Sequence, residues 1–193
     1  MEKLTYEKVR QLFNYDPNTG QLMWKKQDDR PKSWNSRYGG KAAGTYTNTG
    51  YSQIRISGNF YLAHRLIWLW NYGCWPEEQI DHIDGCGYNN CLNNLRLSTQ
   101  SQNRMNSRIS RSNSSGITGV WFNSSLGKYC AQIKVKYKTI WLGSFYSLEL
   151  ATKIRKEAEE KYFGEFAYKD KVSYSVRGQY NNDKEATANK GIK

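Results

Sequence analysis

The segment at residues 63–72, AHRLIWLWNY, constrains the fold of this chain more than any other part of its sequence. Its large apolar side chains share one helical face: Leu66, Ile67, Leu69 and Trp70. Gly73 follows directly, where a glycine commonly ends a helix. The pattern predicts a buried helix, with His64 at its start as a capping or structural residue. We expect this helix to supply the core on which the polar segment at residues 80–95 rests.

The charge balance of the chain predicts a polyanionic partner. Its 193 residues include 29 Lys and Arg against 17 Asp and Glu, which gives a net charge of +12 and a pI near 9.5. Nucleic acid is the first expectation, because no segment approaches the roughly 18–20 uninterrupted apolar residues of a membrane span. The N-terminal MEKLTYEKVR lacks the apolar region of a signal peptide. We therefore expect a cytoplasmic protein with no membrane partner, long enough for one domain or two small ones.

The distribution of charge is more informative than its total. Residues 85–148 contain no Asp or Glu. The charged side chains of this stretch are all basic: Arg96, Arg104, Arg108, Arg111, Lys128, Lys134, Lys136 and Lys138. A solvated face usually mixes both signs, so this run predicts continuous contact with phosphates and binding that weakens as salt rises.

The four cysteines show no CxxC spacing. An intracellular chain would keep them reduced, and we interpret them as ordinary small apolar residues. The alternative is a zinc knuckle formed by Cys74, Cys86 and Cys91, which would need a fourth ligand that no recognisable spacing supplies.

Local patterns predict several short elements in the first half of the chain. Residues 5–13 have the pattern of a short helix, and residues 16–20, DPNTG, that of a turn followed by a strand at residues 21–25. A meander punctuated by glycines then ends in a hairpin at residues 51–62. Residues 100–107 are predicted to form a short polar helix capped by a serine or threonine, Ser98 or Thr99.

A second unit is predicted in the last third of the chain. Residues 129–137 alternate apolar and polar side chains, and residues 139–142 continue the alternation as a partner strand. A helix with Ser147 as its cap then runs to residue 163. The unit is predicted to be a three-stranded sheet with one face covered by this helix.

The segment IDHIDGCGYNNCLNNL at residues 80–95 carries the side chains suited to phosphodiester hydrolysis. A neutral imidazole such as His82 is a competent base near pH 7, and Asp81 is a hard oxygen ligand for Mg²⁺ or Mn²⁺. Adjacent residues of a strand face opposite sides, so both can meet one phosphate only if the backbone turns or the substrate lies between them. Gly85 and Gly87 permit such a turn. The alternative is an Asx-rich turn in which His82 has no chemical role.

Residues 4–106 resemble the phage HNH endonucleases of the homing type. The resemblance rests on several motifs at set distances: HRL at residues 64–66, DHIDG at 81–85, NLR at 94–96, and Thr99 followed by Asn103. In that family a two-stranded hairpin and a helix hold one divalent cation. The resemblance therefore implies a ββα-metal unit that hydrolyses DNA.

Roles for individual residues follow from the same resemblance. His82 would be the general base, and Asp81 with Asn103 would bind one Mg²⁺ or Mn²⁺. Asn94 would brace the loop and orient the histidine. Asn103 stands where many relatives carry a second histidine, and this asparagine variant matches the nicking homing enzymes. Asp84 would be either a partner of His82 or a turn residue.

Residues 116–168 resemble the ethylene-response-factor (APETALA-type) DNA-binding domain of plants, which is also found appended to phage HNH enzymes. The motifs are SGITGV at 115–120, GKYCAQI at 127–133 and WLGSF at 141–145. In that family the exposed face of the sheet enters the major groove of DNA. Here this face would carry Trp121, Asn123, Gln132, Lys134, Lys136, Thr139 and Trp141. The family has arginines where this chain has Trp121 and Asn123, and the alternative for the two tryptophans is a place in the core.

These observations predict an α+β protein. A small N-terminal α/β region leads into a ββα-metal HNH unit, followed by a three-stranded antiparallel sheet packed on one helix. The expected boundaries are 1–107 for the nuclease domain with its ββα core at about 78–107, 108–115 for a basic linker, 116–168 for the DNA-binding domain and 169–193 for a polar, disordered tail.

The predicted function is that of a metal-dependent HNH endonuclease. As a monomer with a single active site, it would nick one strand of double-stranded DNA and leave a 5′-phosphate and a 3′-hydroxyl. By the resemblance it would act as a phage homing enzyme in the host cytoplasm, with no protein partner implied. The alternatives are a non-catalytic, sequence-specific DNA-binding regulator with a degenerate HNH unit, and a restriction or defence nuclease.

Overall fold

The computed structural model describes residues 4–106 and 113–167 of the 193-residue chain. Within these ranges the fold mixes helices and strands, as the sequence predicts. Arg108 and Arg111, most of the predicted linker and the predicted tail at residues 169–193 lie outside the described residues.

The secondary-structure elements are short and follow one another closely. The helices are α1 (Tyr6–Leu12), α2 (Lys32–Tyr38), α3 (Ala63–Tyr72), α4 (Gln100–Met105) and α5 (Leu148–Phe163). The strands are β1 (Phe13–Asp16), β2 (Gln21–Trp24), β3 (Thr45–Tyr46), β4 (Ser52–Ile56), β5 (Asn59–Leu62), β6 (Gln79–His82), β7 (Leu95–Ser98), β8 (Val120–Asn123), β9 (Lys128–Val135) and β10 (Lys138–Phe145). In the part of the chain that is described, no helix is long and apolar enough to span a bilayer.

The N-terminal region contains a β1–β2 hairpin and a three-stranded antiparallel sheet of β3, β4 and β5. Helix α1 begins close to its predicted start, where Thr5 Oγ1 accepts a hydrogen bond from Lys8 N at 3.3 Å. It ends at Leu12, one residue earlier than predicted. Phe13 instead begins β1, where its fully buried ring packs on Trp24 with ring centroids 4.4 Å apart.

Helix α2 lies where the sequence predicts only a glycine-punctuated meander. It has no buried residue and no side-chain cap, so the usual signals of a helix are missing. Trp34 packs edge-on against Trp24, with ring centroids 5.5 Å apart, and Asn35 hydrogen-bonds both the N–H and the C=O of Gln27. Tertiary contacts rather than local propensity therefore stabilise this helix.

Helix α3 forms with the predicted bounds and is the centre of the N-terminal core. Gly73 ends it in a left-handed conformation, with φ 76°. The buried face of α3 packs in one hydrophobic cluster with Ile80 of β6 and Leu95 of β7. The two strands that follow therefore rest on α3, as expected from the sequence.

Strands β6 and β7 pair antiparallel, with Asp81 opposite Arg96 and His82 opposite Leu95. Helix α4 follows immediately and packs against both strands. Of the two predicted caps, Thr99 fills the role through a reciprocal capping box with Gln102. This order of strand, loop, strand and helix has the ββα arrangement implied by the HNH resemblance.

The C-terminal unit is a three-stranded antiparallel sheet of order β10-β9-β8 with α5 on one face. Val120 and Ala131 of the sheet pack with Ala151 of α5 in a second hydrophobic cluster. Ser147 Oγ accepts from Leu150 N at 3.4 Å, and Gly164 follows the last residue of the helix. The architecture is the predicted sheet on one helix, while the exact domain boundaries stay a prediction.

One lysine of the predicted sheet face lies elsewhere. Strand β9 ends at Val135, and Lys136 and Tyr137 form the turn into β10 with left-handed φ values of 46° and 67°. A two-residue turn with both central residues left-handed suits the twist of a hairpin. The prediction that Lys136 lies on the strand face is therefore wrong, because the turn places it at the tip of the hairpin.

The turn between β1 and β2 lies against the asparagine-rich loop that links β6 to β7. Gly20 is left-handed, with φ 66°, and a Cβ atom built on it would collide with the backbone of Asn90 and Cys91. Tyr15 of β1 strengthens the same contact, since its hydroxyl donates to Asn90 O at 3.2 Å and accepts from Leu92 N at 2.9 Å. The N-terminal hairpin therefore supports this loop from outside the ββα unit.

We expect Gly20→Ala to lower the free energy of unfolding by roughly 2 kcal/mol or more, because backbone strain and a clash with backbone act together. Gly73→Ala is the matched control: it shares the left-handed conformation, but no atom lies within 4 Å of the position that its new Cβ would take. Urea denaturation should show that the control loses less free energy of unfolding, about 1 kcal/mol. Equal losses would contradict the close approach at Gly20.

Candidate active site

Asp81 and His82 are adjacent in β6 and lie on its two opposite faces. Asp81 shares its face with Gln79 and contacts the end of α4, whereas His82 shares its face with Ile80 and contacts α3. Both residues are nearly enclosed, with 4% and 5% of their surface exposed. The sharp turn that would bring them to one side does not occur within β6 itself.

The carboxylate of Asp81 is paired on both of its oxygens. Arg96 approaches Oδ2 with Nε at 2.9 Å and Nη2 at 2.8 Å. Asn106 Nδ2 lies 3.0 Å from Oδ1 and 3.1 Å from Oδ2, and it also donates to the carbonyl of His82 at 2.8 Å. A buried carboxylate requires such partners, so these contacts explain how Asp81 is tolerated at this position.

Asn103, the second predicted metal ligand, lies on α4 and contacts Gln79, the residue that precedes Asp81 on the same face of β6. Its Nδ2 donates to Gln79 Oε1 at 2.9 Å, so it lies over the same face of β6 as Asp81. Asn106 lies three residues further along and reaches Asp81 itself. Asn106 is not among the site residues predicted from the sequence. Its spacing from Asn103 could have indicated it, because residues three apart on a helix lie on the same face.

His82 is oriented by an asparagine from the loop that follows it. Its Nε2 lies 2.8 Å from Oδ1 of Asn90, which is itself buried. An amide oxygen can only accept, so this contact places the proton of the neutral imidazole on Nε2 and leaves the lone pair on Nδ1. Burial lowers the pKa of His82 below its usual value, against the opposing effects of Asn90, Asp84 and Asp81. His82 is therefore neutral at pH 7, as a base must be.

The second histidine of the chain packs directly on His82. The His64 and His82 rings meet edge to face, with centroids 5.1 Å apart, and Tyr51 contacts both rings. Burial, with smaller contributions from His82 and Arg65, lowers the pKa of His64 to about 3. Within the described ranges no hydrogen-bond partner reaches His64 Nδ1. His64 is thus a buried structural residue, and it does not cap α3 by a side-chain hydrogen bond.

Asn94 closes the loop between β6 and β7. Its Oδ1 accepts from Asp84 N at 2.9 Å, while Nδ2 donates to Asp84 Oδ1 at 2.9 Å and to Asn89 O at 2.7 Å. Its backbone carbonyl accepts from Ile83 N at 2.8 Å. Asp84 also accepts from Cys86 N and from Asn89 Nδ2, both at 2.7 Å. In this structure Asn94 and Asp84 brace the loop together, and Asn90 contacts the histidine.

The oxygen donors beside α4 fit a hard divalent cation by their chemistry. Asp81 offers a carboxylate and Asn103 an amide, and Mg²⁺ commonly takes one or two such groups with water. Arg96 contacts Asp81 Oδ2, so a cation at that oxygen would compete with the guanidinium. Among the described residues no group of three His, Cys, Asp or Glu side chains could hold a metal, which leaves the zinc-knuckle alternative unsupported.

The predicted DNA-binding residues that the structure describes fall into four environments. Arg96 is engaged with Asp81, whereas Arg104 is exposed on α4. The strand register places the remaining sheet residues on the face away from α5: Trp121, Asn123, Gln132, Lys134, Thr139 and Trp141. Lys138 is exposed at the start of β10, next to Lys136 in the turn.

The two tryptophans of the sheet lie outside the core formed with α5. Their rings meet at 5.9 Å between centroids, and Trp141 is 55% exposed. Cys130 lies on the same face beside Trp121 and is nevertheless only 1% exposed, as expected if the indoles cover it. The outer face is thus a half-exposed aromatic pair bordered by basic and amide side chains.

Acid should destabilise the fold through His64. The native state keeps His64 neutral down to a pKa of about 3, whereas the unfolded chain binds that proton below about pH 6.5. The free energy of unfolding should therefore be highest above pH 7 and fall by up to about 1.4 kcal/mol per pH unit between pH 6.5 and pH 3.

Urea denaturation at pH 7.5 and pH 5.0 would measure this dependence. We expect a shallower loss in His64→Gln than in the wild type, and an unchanged loss in the control Asn59→Gln, which alters an exposed hairpin residue. The same loss in all three proteins would show that His64 is not held neutral by burial.

Comparison with known proteins supports a nuclease assignment for the middle of the chain. Residues 61–105 match a family model described as HNH endonuclease. The chain is also similar to Protein 3.8 of Escherichia phage T7, with 40% identity over 65 residues that cover 32% of this chain and 54% of that protein. The chain thus spans about half the length of this curated relative. No solved structure matches the chain at a significant level. The matched region contains α3, β6, β7 and α4, and it supports an HNH nuclease domain at this position.

Proposed function

We propose that this protein is a metal-dependent DNA endonuclease of the HNH type that nicks one strand of double-stranded DNA. The observation that carries the proposal is the adjacent pair Asp81 and His82 on β6, each buried and each oriented by an asparagine. The pair lies within the region that matches the HNH endonuclease model. An acid suited to a hard cation beside a neutral histidine is the combination that phosphodiester hydrolysis requires.

His82 is the proposed general base. Its Nε2 is occupied by Asn90, so Nδ1 is the atom that would take a proton from the attacking water. The rings of buried His64 and half-buried Tyr51 restrict the imidazole to its observed orientation. Asn94 acts on this geometry indirectly, because it ties Ile83 and Asp84 to the start of β7 and so fixes the backbone directly after His82.

Asp81 and Asn103 are the proposed ligands of one Mg²⁺ or Mn²⁺. When bound, such a cation stabilises negative charge on the phosphate and the leaving oxygen. Asp81 is held in place by Asn106, which bridges its carboxylate and the carbonyl of His82. Asn106 thereby couples the position of the proposed ligand to that of the proposed base.

The C-terminal sheet is proposed to place the nuclease on DNA, in the manner of the ethylene-response-factor domain that it resembles. Support comes from its outer face, which carries exposed Lys134, Thr139 and Trp141 and no acidic side chain on any strand. Lysines neutralise phosphates but select bases less strictly than arginine, so this face favours affinity over sequence selectivity.

The proposed biological role is that of a phage homing enzyme acting as a monomer. A single HNH site in one chain cuts one strand per binding event, and HNH chemistry would leave a 5′-phosphate and a 3′-hydroxyl. The similarity to Protein 3.8 of Escherichia phage T7 supports a phage context. A defence nuclease would share the same chemistry.

A non-catalytic DNA-binding regulator is the second candidate. The observation in its favour is that Arg96 and Asn106 engage both oxygens of Asp81, as in a purely structural ion pair. In a regulator this pair would stabilise the ββα unit permanently. The two candidates differ in one measurable property, which is strand cleavage that depends on a divalent cation.

Plasmid nicking separates the two functions. Wild-type protein with Mg²⁺ or Mn²⁺ should convert supercoiled plasmid to open circles, and His82→Ala should slow this conversion by at least about 100-fold because the general base is lost. Asn93→Ala, at an exposed position in the same loop, is the matched control and should cleave normally. Gel-shift affinity and thermal unfolding of His82→Ala would identify any loss that arises from misfolding. Undiminished nicking by a folded His82→Ala would refute the assignment.

Salt titration of DNA binding tests the proposed sheet interface. The double variant Lys128→Gln/Lys134→Gln removes two lysines that share the outer face of β9. It should bind duplex DNA more weakly, and the slope of log K against log salt should shrink by about 2 if both lysines contact phosphates. The control Lys153→Gln/Lys161→Gln removes the same charge from α5, on the opposite side of the sheet, and should leave the slope nearly unchanged. Equal effects of the two variants would rule out the outer face as the DNA contact.

A further inference from the structure

Arg96 joins the proposed nuclease site to the C-terminal unit. One side of its guanidinium contacts Asp81, through Nε at 2.9 Å and Nη2 at 2.8 Å. The other side contacts the 3-10 turn Gly164–Phe166, which directly follows α5. We propose that this turn holds Arg96 on Asp81 and keeps a divalent cation from that carboxylate until the turn moves away. The inference rests on the proposed function, in which Asp81 is a cation ligand.

The 164–166 turn engages the part of Arg96 that Asp81 leaves free. Nη1 donates to the carbonyl of Glu165 at 2.7 Å, and the Glu165 carboxylate lies 3.9 Å from the same nitrogen. The centroid of the Phe166 ring lies 3.9 Å from the guanidinium carbon. Phe166 is 8% exposed, so this cation–π contact is largely shielded from water, where such contacts are strongest. All three nitrogens of the guanidinium therefore have a partner.

Arg96 and a divalent cation compete for the same carboxylate. Asp81 is 4% exposed, and Asn106 already donates to both of its oxygens, so little of the carboxylate remains for a further partner. A guanidinium and a divalent cation also repel each other strongly over a few ångströms in a partly buried site. Contacts that retain Arg96 on Asp81 therefore weaken binding of the cation at this carboxylate.

The position of the turn links this competition to DNA. The turn continues from α5, which packs against the sheet that we propose binds DNA, and it also contacts α4. Repositioning of the C-terminal unit on DNA would withdraw the turn and release Arg96. The freed guanidinium is then available for a phosphate, which reconciles the predicted DNA contact of Arg96 with its ion pair in this structure. Cation binding would thus be favoured when DNA is engaged.

Binding of Mn²⁺ alone to the full, DNA-free chain tests the inference without a cleavage assay. Free Mn²⁺ can be followed by electron paramagnetic resonance in wild type, Asp81→Asn, Phe166→Leu and the control Phe122→Leu. Phe166→Leu keeps an apolar side chain of similar bulk but removes the ring face over Arg96. Phe122→Leu makes the same change at a 54% exposed position of the sheet. Circular dichroism and thermal unfolding would verify that each variant is folded.

We expect Phe166→Leu to bind Mn²⁺ about three- to fivefold more tightly than wild type, which is the size of one lost cation–π contact. Phe122→Leu should match the wild type, and Asp81→Asn should abolish the site. Arg96→Gln provides a second variant that needs no change in the C-terminal core, and it should tighten binding by roughly fivefold or more.

The outcomes separate the inference from the function on which it rests. If Mn²⁺ binding depends on Asp81 but is unchanged in Phe166→Leu and Arg96→Gln, the competition is refuted and the proposed ligand stands. If Asp81→Asn binds Mn²⁺ as the wild type does, Asp81 is not a cation ligand, and both the inference and the proposed metal site fail.

Discussion

The need to neutralise a buried carboxylate organises the centre of this protein. Asp81 lies in β6, and the neighbouring Ile80 must enter the core on α3, so the alternation of the strand directs Asp81 to the opposite side. An unpaired charge there would destabilise the fold, and Arg96 and Asn106 remove this penalty. Arg96 comes from β7 and Asn106 from the end of α4. The two strands and the helix of the ββα unit are therefore joined by one ion pair and one amide.

Amides replace apolar contacts in the loop that completes the site. The segment between β6 and β7 has few large apolar side chains, and Asn94, Asp84 and Asn89 hold it by mutual hydrogen bonds. Gly20 and Tyr15 of the β1–β2 hairpin pack on its outside. The N-terminal region thus contributes to the orientation of His82 through Asn90, although it lies far from the site in sequence.

Much of the fold is predictable because its elements carry strong local signals. The apolar stripe and terminal glycine of α3, the threonine and serine caps of α1, α4 and α5, and the alternation of β9 all correspond to observed elements. Helix α2 is not predictable in this way, because its stability comes from the packing of Trp34 on Trp24. Lys136 lies in a turn and not on the strand face that the alternation predicts, because β9 ends at Val135 and the next two residues form the turn of the β9–β10 hairpin.

The order of residues along the chain establishes which residue types stand together: an aspartate and a histidine in DHID, a group of asparagines after them, and a basic stretch without acids. These are properties of neighbours along the chain, and local patterns and motif spacing record them. The partner that each side chain takes is set by the folded arrangement of the chain. Asn90 rather than Asn94 contacts His82, Asn106 lies on Asp81, and Arg96 lies between Asp81 and Phe166. Such pairings depend on strand register, helix phase and the docking of distant segments, which a one-dimensional pattern does not encode.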